Sequence, residues 1–159
     1  MGVIIKTATL NDLKKVQELN LKLFEKEKQE YDPFLDLKGV FSKKGTKYYK
    51  DKISKDSDCV FVAVINNTIV GYLCGGLAKT GSFGRLSSIT VAEIQTFFVL
   101  EEFRSLGIGK KLYDEFIKWC KKKNVDKARI DVHSQNKSAI KFYKNKNFKD
   151  YYSTLEIDL

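Results

Sequence analysis

The chain has 159 residues, 43 % of them hydrophobic, which suits one domain with a real core and excludes a disordered segment. Lys+Arg outnumber Asp+Glu 29 to 20, a net charge of +9. The positive charges are spread from Lys6 to Lys149, as on a solvated basic surface with a general affinity for anions. Three cysteines without a C-x-x-C pair and a single histidine leave almost no ligands for zinc, so buried, reduced thiols in a reducing compartment are expected. The first apolar run, Val3-Ile4-Ile5, is too short for a signal peptide, and Lys6 stands where a myristoylation signal needs Ser or Thr. The longest clean apolar run, residues 60–65, is too short to span a bilayer, so a soluble cytoplasmic protein is expected.

In chain order, residues 3–8 read as a short strand, and Thr9 or Asn11 can cap the helix after it. Leu13, Val16, Leu19, Leu23 and Phe24 then repeat at helical spacing as far as Lys28. Residues 31–53 begin irregularly around Pro33 and turn helical near their end. The β-branched run 59–65 is a buried strand; Asn66-Asn67 turns it into a second strand over 68–79, weakened by Gly75-Gly76. Residues 80–85 form a loop, and 87–99 a third long strand. A glycine turn leads into a helix carrying Ile108, Leu112, Phe116, Trp119 and Cys120 on one face. A strand over 127–134, a short helix over 136–147 and a terminal strand or hairpin over 148–159 complete the order β-α-α-β-β-β-α-β-α-β, a layered sheet-and-helix domain.

The informative stretch is the turn FRSLGIGKKL, residues 103–112. A strand-to-helix turn presents unpaired amides and the positive end of a helix dipole, and glycines let a backbone come close to phosphate. Two common phosphate loops do not fit. A P-loop ending on Gly109-Lys110 needs glycine at 104 and a hydroxyl at 111, where Arg104 and Lys111 stand. The dinucleotide pattern needs a third glycine at Leu112 and an early position in the chain.

Arg104-Ser105-Leu106-Gly107-Ile108-Gly109 instead resembles the [QR]-x-x-G-x-[GA] signature of the GNAT superfamily, the acetyl-CoA-dependent N-acetyltransferases; Ser105 stands where many members carry glycine. A second stretch, NKSAIKFYKNKNF, is similar to the family's N-x-x-A-x-x-[LF]-Y-x-x-x-G-F through Asn136, Ala139, Phe142, Tyr143 and Phe148. Asn147 replaces its glycine, and Asn is the next best residue at positive φ. The resemblance covers residues 60–148 and the element order. It implies an α+β fold: a single N-acetyltransferase domain over residues 1–159, with a mixed, mostly antiparallel central sheet, helices on both faces, and splayed strands forming an acyl-CoA cleft.

It also implies that coenzyme A is held by backbone in the turn Arg104, Ser105, Leu106, Gly107, Ile108, Gly109 and Lys110, by the strand end Phe97, Phe98 and Val99, and by Asn136 from the far side. Acetyl transfer needs a deprotonated amine, donors for the oxyanion and a proton for the departing thiolate. Tyr143 matches the family tyrosine near the thioester sulfur and is the expected general acid. Strand alternation puts Val91, Glu93, Gln95, Phe97 and Val99 on one face. Glu93 resembles the catalytic glutamate of the histone-acetylating branch and is the expected base, directly or through water. The Phe97 amide serves as oxyanion donor if the strand bulges there. His133 and Cys120 read as structural.

The resemblance places the acceptor site at residues 25–49 and 80–88, with Tyr31, Phe34, Tyr48 and Tyr49 either lining a pocket or covering the sheet. Gln95 and the lysine-rich flanks argue against polyamines; a protein N-terminus, a lysine side chain, an aminoglycoside-like amine and a small metabolite amine stay open. The rivals are a catalytically inactive acyl-CoA-binding domain and a basic nucleic-acid-associated module. For the latter, the lysines at 118 and 121–123 already suit a helix C-terminus, and no aromatic-basic alternation is present. No specific nucleic-acid partner and no membrane are expected; a homodimer is allowed.

Overall fold

The computed structural model describes residues 2–78 and 89–158. The first strand, β1, runs Ile4–Thr7. At its end the Thr9 N–H and hydroxyl donate to Asp12 Oδ2 at 2.9 and 3.0 Å, and Lys6 Nζ reaches the same carboxylate at 3.1 Å. That capping arrangement launches α1, Leu13–Glu30, whose buried stripe Val16, Leu19 and Asn20 follows helical spacing. A 3-10 turn, Lys38–Phe41, leads to α2, Lys43–Ser54, where the Ser42 hydroxyl accepts from Gly45 N–H at 3.1 Å as N-cap.

The central hairpin pairs β2, Asp58–Ile65, with β3, Thr68–Leu77. Its two-residue turn holds Asn66 at φ 47° and Asn67 at φ 61°, the positive angles that a right-twisted hairpin requires. The strand β4, Val91–Val99, lies antiparallel to β3, and β5, Lys127–Ile130, lies parallel to β4, giving the order β1-β2-β3-β4-β5. Between β4 and β5 comes α3, Ile108–Lys122; α4, Lys137–Lys144, follows β5.

Alternation along the strands divides the core in two. Phe61, Ala63, Leu73, Ala92 and Ile94 pack with Leu112, Phe116 and Tyr143 on the α3 side. Val60, Val62, Tyr72, Cys74 and Phe98 pack with Val16, Leu19 and Tyr49 on the α1 and α2 side. All three cysteines are buried and unpaired. Burial pushes the Cys74 thiol up to about 12 and the Cys120 thiol up to about 11, so neither is a ready nucleophile. Among the described residues no helix is long and apolar enough to cross a membrane.

Two expected strands are corrected. The strand expected over 127–134 ends at Ile130, because β4 bulges at the next position and the two strands part. Residues 149–158 form no strand; Tyr152, Leu155 and Ile157 are exposed, and the alternating pattern there pairs with no strand among the described residues. The loop expected over 80–85 lies outside the described residues.

Candidate functional site

The bulge in β4 organises the site. Cys74 pairs with Thr96 and Gly75 with Ile94, so Gln95 is the extra residue. One additional residue reverses the alternation beyond it. Ala92 and Ile94 face α3, and so do Phe97 and Val99, while Gln95, Thr96 and Phe98 turn toward α1 and α2. The single face expected for Val91, Glu93, Gln95, Phe97 and Val99 is therefore split. Opposite Ala92 and Ile94, Glu93 lies on the α1 side, in register with Gly76 and Arg129. The bulge also sits two residues earlier than expected.

Beyond Ile94 the β5-facing edge of β4 pairs with no strand among the described residues. Leu100 N–H donates to Val70 O at 2.9 Å, and antiparallel alternation then turns the N–H and C=O groups of Phe97 and Val99 toward that open edge. Arg104 Nε occupies the Val99 carbonyl at 3.0 Å, and its guanidinium lies 5.5 Å from the Phe98 ring centroid.

The glycine turn stands at the end of this edge. Ser105 and Gly107 adopt φ 61° and 75°, and Gly107 caps α3. A Cβ on Gly107 would meet nothing within 4 Å, so its glycine answers to backbone angle and not to space. Arg104 N–H bonds to Glu101 O, and the first helical bond runs from Lys111 N–H to Gly107 O. Between them, the consecutive N–H groups of residues 105–110 find no acceptor among the described residues. Converging amides at the positive end of a fifteen-residue helix make an anion cradle.

Tyr143 is brought to the same region through aromatic contacts. Phe97 meets Phe142 edge-on at 5.8 Å, and Phe142 meets Tyr143 at 5.2 Å. Phe148 closes the other side at 5.4 Å. Burial, with a smaller contribution from Tyr113, holds the Tyr143 phenol above its usual range. Asn136 is the N-cap of α4, its Oδ1 accepting from Ala139 N–H and the Ser138 hydroxyl at 3.1 Å each. Asn147 takes φ 65°, the angle expected of the residue in the family's glycine position.

On the opposite face lies a cavity of about 660 Å³ between α1, the α2 N-terminus and β4. Its lining includes Asn20, Phe24, Tyr48, Tyr49, Gln95 and Thr96. Thr96 Oγ1 is buried and makes no well-formed hydrogen bond among the described residues, although the Tyr49 and Tyr72 hydroxyls lie close enough to interact. Of the four aromatics expected around an acceptor pocket, Tyr48 and Tyr49 line it. Phe34 is 91 % exposed and does not, and Tyr31 stacks on His133 at 4.9 Å. The expected segment 80–88 lies outside the described residues. Glu93 is on the cavity's face of the sheet without lining the cavity.

Sequence reasoning missed Glu27. It continues the Asn20 and Phe24 stripe of α1 by one turn and is half-buried. Burial pushes its carboxyl up; His133 opposes this and Asp32 adds to it. The only available signal was its helical spacing from Asn20.

An amide cradle at a helix N-terminus thus stands beside a strand edge that is unpaired among the described residues, with a largely apolar cavity carrying a few polar side chains across the sheet. The chain belongs to the acetyltransferase (GNAT) family, whose model matches residues 15–148. It is 30 % identical over 149 residues to an uncharacterized N-acetyltransferase of Methanocaldococcus jannaschii, covering 92 % of this chain and 63 % of that relative; the chain thus spans less than two thirds of that relative's length. Among solved structures, the tetramutant of the BH1408 protein from Bacillus halodurans superposes with a TM-score of 0.85 at 24 % identity, over 98 % of this chain and 99 % of that one. The aminoglycoside N-acetyltransferase AAC(6')-Iy in complex with CoA superposes at 0.75 with 18 % identity, over 99 % and 95 % of the two chains. At these identities the likeness is one of fold.

Proposed function

We propose that this chain, acting as one catalytic domain, moves an acetyl group from acetyl-CoA to a primary amine by direct attack. The observation that carries the reading is the run of unpartnered N–H groups over residues 105–110 beside the open edge of β4. Those amides suit a diphosphate, and the outward-turned Phe97 N–H and C=O and the Val99 N–H suit an amide-bearing arm laid along the strand, the Val99 carbonyl already accepting from Arg104 Nε. The CoA complex of the structural neighbour AAC(6')-Iy supports the choice of carrier.

In the reaction the amine nitrogen bonds to the thioester carbonyl carbon, the carbon–sulfur bond breaks, and one proton must leave nitrogen while another reaches sulfur. Tyr143 packs on the α3 side of the sheet and Glu93 lies on the α1 side, one residue before the last β4–β5 pair, so each is suited to one of those protons. The buried Tyr143 phenol keeps its proton at neutral pH. Against an ordinary thiolate of pKa ~8.5, donation from even a free phenol at ~10 would be uphill by roughly 2 kcal/mol, and burial of Tyr143 widens that gap. A thiolate formed in the same dry surroundings has a raised proton affinity too, as the shift of Cys120 illustrates, which offsets the widening. Glu93 accepts the amine proton through water, and the Phe97 N–H, aimed at the open edge, is the oxyanion donor.

The test is thiol release from acetyl-CoA with a panel of amines. Amine-dependent release supports the enzyme. Binding of the carrier without release above background would favour an acyl-CoA sensor, and salt-sensitive, sequence-independent nucleic-acid binding alone would favour the basic module.

A further inference from the structure

The cavity on the α1 and α2 side has a chemical polarity that bears on the acceptor. Its floor is made by Asn20, Tyr49 and the two consecutive residues that the β4 bulge turns to the same side, Gln95 and Thr96. Thr96 Oγ1 makes no well-formed hydrogen bond there, with the Tyr49 and Tyr72 hydroxyls nearby, and among the described residues the Gln95 side chain has one long hydrogen bond, its Oε1 accepting from Cys74 Sγ at 3.9 Å. The floor thus has hydrogen-bonding capacity to spare and no charge.

The rim differs. It is formed by Asp36, Lys38 and Lys44, with Ser42 and Gly45 at the start of α2. Asp36 is engaged locally, its Oδ1 accepting from Lys38 N–H at 2.9 Å. Neither Lys38 nor Lys44 belongs to an ion pair among the described residues, whereas the neighbouring lysines Lys26 and Lys47 pair with Glu30 and Asp51. The rim therefore carries two unpaired ammonium groups against the single carboxylate of Asp36, a net positive charge on exposed side chains above an uncharged floor. The positive end of the α2 dipole points the same way. A polycationic acceptor would meet like charge there; an acidic one would be drawn in.

Resting on the acetyltransferase reading, we propose that the natural acceptor is an amine that also bears an acidic group, the amine directed to the Gln95–Thr96 floor and the acid to Lys38 and Lys44 at the rim. Two sources share that chemistry: a peptide whose N-terminus is followed by Asp or Glu, and a small amino acid with an extra carboxylate. A volume of about 660 Å³ admits either.

The experiment measures kcat/KM for thiol release with matched acceptors: peptides differing only by Glu, Gln or Lys near the N-terminus, and glutamate against glutamine. Exposed charge pairs of this kind are each worth a few-fold, so the acidic member should lead its amide by roughly tenfold at low salt, through KM, and the lead should shrink as salt rises. Whichever acidic family is faster names the source. In a Lys38→Ser/Lys44→Ser double variant the acid-to-amide ratio should fall toward one, and Lys44→Glu should turn the preference toward the lysine peptide. Equal kcat/KM across the series, a lead for the lysine peptide in the unaltered protein, or a ratio that survives the double variant would each overturn the proposal while leaving the enzyme reading intact. No release with any amine would overturn both.

Discussion

Removing one oxygen atom, in Tyr143→Phe, isolates the proton-transfer step. The ring stays: it is 6 % exposed and held edge-on by Phe142 and Phe148 at 5.2 and 5.4 Å, contacts that phenylalanine retains. The fold and the amide cradle should be unaffected, because neither uses the hydroxyl. What is lost is the buried proton. A positioned general acid contributes about 10²–10⁴ in rate, or roughly 3–5 kcal/mol of barrier. The assay pairs steady-state thiol release with calorimetry of coenzyme A binding. The expected result is a kcat lower by about two to four decades, an unchanged Kd for coenzyme A and a Tm within about 2 °C of the parent. Because burial raises the phenol, the parent should show no loss of activity from Tyr143 ionisation below about pH 10. An unchanged kcat would refute the role of Tyr143; a lost Kd would show that the hydroxyl belongs to carrier binding.

Glu93→Gln should lower the rate near neutrality and move the activity profile to higher pH, where the amine sheds its proton unaided; a pH profile with the parent's shape would remove Glu93 as base. The Glu27 carboxyl is raised in the fold by burial, so at neutral pH its charge opposes folding, and stability is regained as pH falls toward its unfolded value. Glu27→Gln should therefore raise Tm at pH 7 with the gain gone near pH 4, measured by calorimetry at both; a loss of Tm at pH 7 would contradict this. A Cβ at Gly75 would lie 2.8 Å from Phe116 Cε2 and 2.9 Å from Glu93 O, so Gly75→Ala should cost about 1–3 kcal/mol, a fall in Tm of roughly 3–10 °C, and an unchanged Tm would show that the core gives way there.

Much of this was legible in the sequence because its signals are local. Periodicity located α1 and α3, the Asn66-Asn67 pair located the hairpin, and asparagine at 147 announced a left-handed angle that the chain adopts. The spacing Gly107-x-Gly109 marked the turn whose amides stand free. What escaped depends on contacts far apart in the chain. No residue type marks Gln95 as a bulge, yet that one extra residue moves Phe97 and Val99 to the α3 side and brings Gln95 and Thr96 to the cavity. Glu27 looked like any charge on an amphipathic helix, and only the fold brings it near His133. Residues 149–158 carry strand-like alternation, but pattern alone does not supply a partner strand.

The most direct measurement follows the backbone amides of residues 105–110 by ¹H–¹⁵N NMR during titration with coenzyme A, and with pantetheine, which lacks the diphosphate. The account predicts that these resonances move with coenzyme A along the isotherm set by its calorimetric Kd, stay near their starting positions with pantetheine, and respond weakly in Gly107→Ala, where a left-handed alanine costs about 1–2 kcal/mol. Coenzyme A binding tightly while these amides do not move would contradict it.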